Sequence, residues 1–144
     1  MKKILFLNGP NLNMLGTREK NIYGDLTLDA INQKISAECE KCGVIPEFYQ
    51  SNSEGALIDK IHSANGVFDG IIFNPGAYSH YSLAILDAIK AITVPVIEVH
   101  ISNVFARDEK RHEMVTAKGS VGVISGFSYN SYILGLHGLM AYGK

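Results

Sequence analysis

The sequence predicts an α/β protein, a flavodoxin-like, doubly wound sheet of five parallel strands in the order 2-1-3-4-5, held between helices in a three-layer α/β/α arrangement. Two observations carry that reading. Short apolar, often β-branched runs alternate with helical patterns along the whole chain, as expected of buried parallel strands joined by crossover helices. Three of these runs also end in short polar clusters. Ile4-Leu5-Phe6-Leu7 runs into Asn8-Gly9-Pro10-Asn11, and Gly70-Ile71-Ile72-Phe73 into Asn74-Pro75-Gly76-Ala77-Tyr78-Ser79-His80. Val94-Pro95-Val96-Ile97 runs into Glu98-Val99-His100-Ile101-Ser102-Asn103. Ligands of such sheets bind outside the carboxyl ends of the strands, so the three clusters converge on one site and point to an enzyme or a small-molecule binder.

The elements follow in order. Lys3–Leu7 reads as the first strand. Thr27 is placed as an N-cap with Asp29 in the first turn, and Leu28, Ile31, Ile35, Cys39 and Cys42 keep helical spacing up to a Gly43 stop. Val44–Tyr49 is the second strand. Ser53 and Glu54 open a second long helix carrying Leu57, Ile58 and Ile61, which ends near Asn65-Gly66. Gly70–Phe73 is the third strand, and a helix from about Ser79 shows Leu83, Leu86, Ile89 and Ile92 before Pro95. Val94–Val99 is the fourth strand, Arg107–His112 a short charged helix, and Val121–Ile124 the fifth strand. Tyr129–Met140 closes the chain as a helix with Ile133, Leu136 and Met140 inward. Right-handed crossovers and five strands favour the open sheet over a barrel, with a crevice between strands one and three. The connection from Gly9 to Asp25, about 17 residues, has the length of a lid or binding loop.

Composition narrows the class. A chain of 144 residues with 47% hydrophobic residues is expected to form one domain with its own core. Thirteen Lys+Arg against 14 Asp+Glu, with no basic run, speak against nucleic acid or an anionic membrane as partner. No apolar stretch reaches the roughly 18–20 residues of a membrane span, and Met1-Lys2-Lys3 leads straight into a short strand, so the protein is expected in the cytoplasm. Cys39 and Cys42 form a C-x-x-C pair near a helix C-terminus, where the dipole opposes thiolate formation, and no second pair completes a zinc site. They read as core packing.

The phosphate-binding glycine motifs and G-x-S-x-G are missing, which leaves acid–base chemistry. Tyr23 in the long loop, with Arg18 five residues earlier, is one pair, since a guanidinium nearby favours phenolate over phenol. A single loop tyrosine more often simply packs on the surface. His100 ends the fourth strand, with Glu98 two positions earlier on the same face, an imidazole with an orienting carboxylate. A buried structural histidine is the competing reading. His80 follows a Pro-Gly turn and either anchors a substrate oxygen or caps a helix. Asn11, Asn74 and Ser102 are neutral hydrogen-bonding groups suited to a polyol or an enolate oxygen. The run Arg107-Asp108-Glu109-Lys110-Arg111-His112 is either a solvated face or a source of arginines for a carboxylate. His62 and His137, on helices, read as structural or exposed.

Taken together these segments resemble the type II 3-dehydroquinate dehydratases. The matching pieces are Asn8-Gly9-Pro10-Asn11-Leu12-Asn13-Met14-Leu15-Gly16 with Arg18-Glu19, then Ile22-Tyr23-Gly24 and Gln50-Ser51-Asn52-Ser53-Glu54-Gly55. The strand-three cluster Asn74–His80 and the strand-four cluster Glu98–Asn103 complete the set, in family order and from end to end of the chain. The resemblance implies a lyase that removes water from 3-dehydroquinate to give 3-dehydroshikimate without cofactor or metal, in the shikimate route or in quinate breakdown. By resemblance Tyr23 is the base, used as phenolate, and Arg18 holds it in that form. Asn11 helps to place the water that stabilises an enolate, and His100, oriented by Glu98, is the acid. Asn74, His80, Ile101, Ser102 and Arg111 bind the substrate's hydroxyls and carboxylate, and Asp87 reaches a neighbouring subunit's site. The implied assembly is a dodecamer built from trimers. An enolate route needs no Schiff base, so Lys20 and Lys110 are not nucleophile candidates.

The resemblance has gaps. Before the substrate arginine the family usually has an aromatic residue and soon after it a serine, where this chain has Lys110 and Glu113, and Met114–Ser120 is atypical. Arg107 is the alternative carboxylate ligand. A non-catalytic binder of a small hydroxy acid or nucleotide is the competing function.

Overall fold

The computed structural model describes residues 2–17 and 19–143. Strands β1 (Lys2–Asn8), β2 (Val44–Gln50), β3 (Gly70–Asn74), β4 (Val96–His100) and β5 (Gly122–Ser125) form one parallel sheet in the order β2-β1-β3-β4-β5. Helices α1 (Lys20–Tyr23), α2 (Leu28–Cys42), α3 (Glu54–His62), α4 (Leu83–Lys90) and α5 (Asn130–Ala141) complete the chain, with several 3-10 turns between. The predicted order is the observed one, the flavodoxin-like winding.

Strand alternation divides the core in two. Ile4, Phe6, Ile72, Ile97 and Val99 point to one face, where Ile31, Ile35 and Cys39 of α2 and Tyr132, Leu136 and Leu139 of α5 cover them. Leu5, Leu7, Ile71, Phe73 and Val96 point to the other, against Leu57 and Ile61 of α3 and Ile85, Ala88 and Ile89 of α4. Each fully buried aliphatic side chain contributes about 1.5–3 kcal/mol. Cys39 packs among them; burial, with Cys42 and Glu38 adding to it, pushes its thiol up to about 11. That is the packing role the sequence suggested.

Helix α2 starts and stops where its residues dictate. The Thr27 hydroxyl accepts from the Ala30 N–H at 3.1 Å, and Gly43 takes the left-handed conformation at φ 70°. Ser53 caps α3 in the same way, from Ala56 at 3.2 Å. Helix α4 departs from expectation. It begins at Leu83, after a separate 3-10 turn over Gly76–His80, because Ser82 and not Ser79 is its cap. The predicted charged helix is only a 3-10 turn at Glu109–Arg111. In α5 the buried residues are Ser131, Tyr132, Gly135, Leu136 and Leu139. Leu136 is therefore inward as expected, while Ile133 and Met140 are only half-buried. The sequence shows an almost wholly apolar helix there, so its period does not select a face.

The long connection after β1 is not structureless, since it holds a 3-10 turn (Leu12–Met14) and α1. At its root, β1 and β3 run in register to Asn8 opposite Asn74, and the Gly9 N–H donates to the Asn74 carbonyl at 2.8 Å. A Cβ on Gly9 would stand 2.5 Å from the Pro75 carbonyl oxygen, so only glycine lets these two loops meet. No helix among the described residues is long and apolar enough to cross a membrane.

Candidate active site

The two loops joined at Gly9 and the loop after β4 enclose a cleft open to solvent. Asn11 and Tyr23 line it from the first loop, Asn74 and His80 from the second, and His100, Ile101, Ser102, Arg107 and Arg111 from the third. Nine positions singled out in the sequence thus share one cavity. Glu98 and Asp87 do not line it: Glu98 sits behind His100 and Asp87 is exposed on α4, while Arg18 lies outside the described residues.

Glu98 and His100 face the same side of β4, two residues apart, and the His100 Nε2 lies 2.7 Å from Glu98 Oε2. The carboxylate is fully buried and takes two further hydrogen bonds, from Ser79 Oγ at 2.6 Å and from Thr116 Oγ1 at 2.5 Å. A buried carboxylate is retained only when it is well hydrogen-bonded. Because Glu98 accepts from Nε2–H, the other ring nitrogen of His100 is left for chemistry in the pocket.

Tyr23 ends the short helix α1, and its hydroxyl accepts from Arg107 Nη1 at 2.7 Å, with the guanidinium carbon 5.2 Å from the ring centroid. Arg107 also reaches Ser102 Oγ at 3.4 Å. A hydrogen bond from a cation strengthens as its acceptor becomes an anion. This contact joins residues 84 apart in the chain, and no local spacing announces it. Arg111 keeps its guanidinium in the pocket lining while its Nε bonds Asp108 at 3.0 Å.

His80 donates its Nδ1–H to the Glu113 carbonyl at 2.7 Å, which leaves Nε2 as an acceptor in the neutral ring. Burial, with the nearby His100 and Arg111 charges, holds it below the usual histidine range against the opposing pull of the Glu113 carbonyl and Glu98. Asn74 is fixed from beneath. Its Nδ2 donates to the Tyr132 hydroxyl at 3.0 Å, its Oδ1 accepts from the Gly76 N–H at 3.1 Å, and Tyr132 in turn donates to Asn8 Oδ1 at 2.6 Å. Asn11 adopts a left-handed backbone at φ 68°, a conformation asparagine tolerates, and its N–H is anchored by Asn52 Oδ1 at 3.0 Å.

Sequence reasoning missed Arg107 as the partner of Tyr23, Ser79 and Thr116 as partners of Glu98, and Tyr132 as the support of Asn74. Ser79 and Arg107 lay in polar segments already singled out as candidate chemistry, while Thr116 lay in the stretch marked only as atypical and Tyr132 in a helix read as packing. Among the described residues, no group of three or more His, Cys, Asp or Glu stands ready for a metal ion.

Residues 2–140 match the family model described as dehydroquinase class II. The chain is 56% identical over 140 residues to the 3-dehydroquinate dehydratase of Bacillus cytotoxicus, covering 97% of this chain and 96% of that one. It is also 56% identical over 140 residues to the 3-dehydroquinate dehydratase of Caldicellulosiruptor bescii, covering 96% and 97%. Its fold superimposes on the type II dehydroquinase of Butyrivibrio crossotus with a TM-score of 0.95 at 48% identity, over 97% of this chain and 98% of that one.

Proposed function

The chain belongs to the class II dehydroquinase family, and on that footing we propose that it dehydrates 3-dehydroquinate to 3-dehydroshikimate through an enolate, with Tyr23 as base and His100 as acid. It is a hydro-lyase by family. The observation that supports the division of labour is that one cavity holds a phenol bonded to a guanidinium and an imidazole bonded to a buried carboxylate.

The Tyr23 phenolate takes the proton from the carbon beside the ketone, and the bonding pair moves into an enolate. Arg18, in the role the resemblance gives it, and Arg107, which bonds the Tyr23 hydroxyl, offset the phenolate charge before that step. Asn11 places the water that carries the enolate oxygen's charge. The enolate then collapses, the carbon–oxygen bond breaks, and His100 gives its proton to the departing hydroxyl, which leaves as water. General acid and base each contribute about 10²–10⁴-fold. His80, Asn74 and Ser102 accept and donate to the substrate hydroxyls, and Arg111 takes the carboxylate. No lysine is among the described residues lining the cavity, which fits an enolate and not a Schiff base. Asp87, exposed on α4, is assigned to the cavity of a neighbouring subunit in a dodecamer of trimers.

The test is absorbance at the product's conjugated enone band on mixing the protein with 3-dehydroquinate, before and after the protein is treated with borohydride in the presence of substrate and freed of both. A rise that survives borohydride and is lost in Tyr23→Phe, with the fold intact by circular dichroism, supports the proposal. Full activity in Tyr23→Phe removes the base assignment, and a signal abolished by borohydride points to a Schiff base.

A further inference from the structure

Glu98 is the buried charge on which the acid depends, and its partners come from three separate parts of the chain. His100 and Ser79 share Oε2, at 2.7 and 2.6 Å, while Oε1 is met by Thr116 Oγ1. All four residues are buried, Ser79, Glu98 and Thr116 at 0% exposure and His100 at 5%. An ionised carboxylate only accepts hydrogen bonds. With a hydroxyl donor filling each oxygen, the carboxylate stays acceptor-only toward the ring, and Nε2 must carry the hydrogen between His100 and Glu98. Nδ1 is then the nitrogen that meets the substrate; as the acid, His100 carries a proton on both nitrogens, gives the Nδ1 proton to the leaving hydroxyl and is left as the Nε2–H tautomer.

Thr116 lies in the 3-10 turn Thr116–Gly119, within the stretch that departs from the family pattern. The turn is seated closely on α4, where a Cβ on Gly119 would stand 2.9 Å from Ile89 Cγ2 and 3.1 Å from Leu86 Cδ1. Its hydroxyl is therefore delivered by packing against a core helix. Ser79 arrives from the opposite direction in sequence, on the turn after β3. We propose that Thr116 and Ser79 are positioning residues for the elimination, a two-hydroxyl clamp that fixes Glu98 and through it the tautomer of His100. The clamp acts on chemistry and not on substrate affinity, because neither hydroxyl lines the cavity. This role rests on His100 being the acid.

Thr116→Val removes the hydroxyl at nearly constant volume, and Thr116→Ser keeps it. Long-range proton–nitrogen NMR of the His100 ring, assigned by difference with His100→Gln, reads the tautomer directly. With the ring neutral, at alkaline pH, the wild type and Thr116→Ser are expected to show one tautomer with Nε2 protonated, and Thr116→Val a mixture. In the same variants kcat with 3-dehydroquinate is expected to fall about 10- to 100-fold in Thr116→Val with KM changed less than about 2-fold, and to return close to wild type in Thr116→Ser. A pure Nε2–H tautomer in Thr116→Val, or equal losses in both variants, overturns the clamp. If Thr116→Val does not fold, Ser79→Ala takes its place with the same expected and overturning results. A wild type without turnover sinks the dehydratase reading alone, since the spectrum still decides whether the hydroxyls set the tautomer.

Discussion

Removing the Tyr132 hydroxyl, by Tyr132→Phe, tests the support beneath the site. The ring is fully buried, and Asn8 and Asn74 are 1% and 3% exposed. The variant keeps the packing of the ring and takes away the acceptor of Asn74 Nδ2 and the donor to Asn8 Oδ1. Each buried polar group left without its partner costs about 1–3 kcal/mol, so the pair comes to roughly 2–6 kcal/mol. For a chain of this size that lowers Tm by roughly 6–18 °C. Thermal melts by circular dichroism, with urea titrations to check that the denaturant slope is unchanged, measure the loss. Asn74 keeps its bond from the Gly76 N–H, so the second readout is a raised KM and not an abolished kcat. The pH dependence adds a sign. Burial pushes the Tyr132 hydroxyl well above the ordinary tyrosine value, so the folded chain holds this proton after the unfolded chain has released it. Stability from this group is therefore complete below pH ~10 and falls above it, and the phenylalanine variant loses that alkaline slope. A Tm within about 2 °C of wild type would show that the two amides find other partners, and would refute the reasoning.

Three further outcomes follow from the same geometry. Arg107→Ala is expected to lower kcat about 10- to 100-fold by removing a charged donor to Tyr23; steady-state kinetics showing an unchanged kcat and a raised KM would make Arg107 a substrate-carboxylate ligand instead. His80, held below the ordinary histidine value by burial, binds its proton in the unfolded chain first, so stability declines as pH falls through about 6.5. Urea melts between pH 7.5 and 5.5 should show a shallower decline in His80→Gln, and parallel slopes would remove this cause. Cys39, with its thiol pushed up to about 11 and its side chain fully buried, is expected to resist alkylation at neutral pH until the protein unfolds, which timed labelling read by mass spectrometry checks.

Where several local signals agreed, the chain was readable. For α2 the Thr27 cap, the spacing from Leu28 to Cys42 and the Gly43 stop named the same helix, and the observed ends are those. The Glu98–His100 pair was legible because a strand repeats every two residues and puts both on one face. The helix expected from about Ser79 begins later, at Leu83, because the Ser79 hydroxyl is committed to a carboxylate 19 residues on and Ser82 is the cap. Arg107 and Tyr23 meet through tertiary packing alone, and Thr116 reaches Glu98 from a stretch without a pattern to read. In α5 a nearly continuous apolar run hid the fact that its one deeply buried phenol faces two asparagines.

The Tyr132–Asn8 bond spans 124 residues, which gives the site a place in time as well as in space. Asn8 leaves the ribosome early, and at roughly 5–20 residues per second its partner follows some 6–25 s later. Until α5 docks, Asn8 and Asn74 lack the phenol that holds them, however well the earlier strands have paired. The cavity is therefore finished last, by the final helix, and a chain interrupted before Tyr132 lacks the group that sets the floor of its own active site.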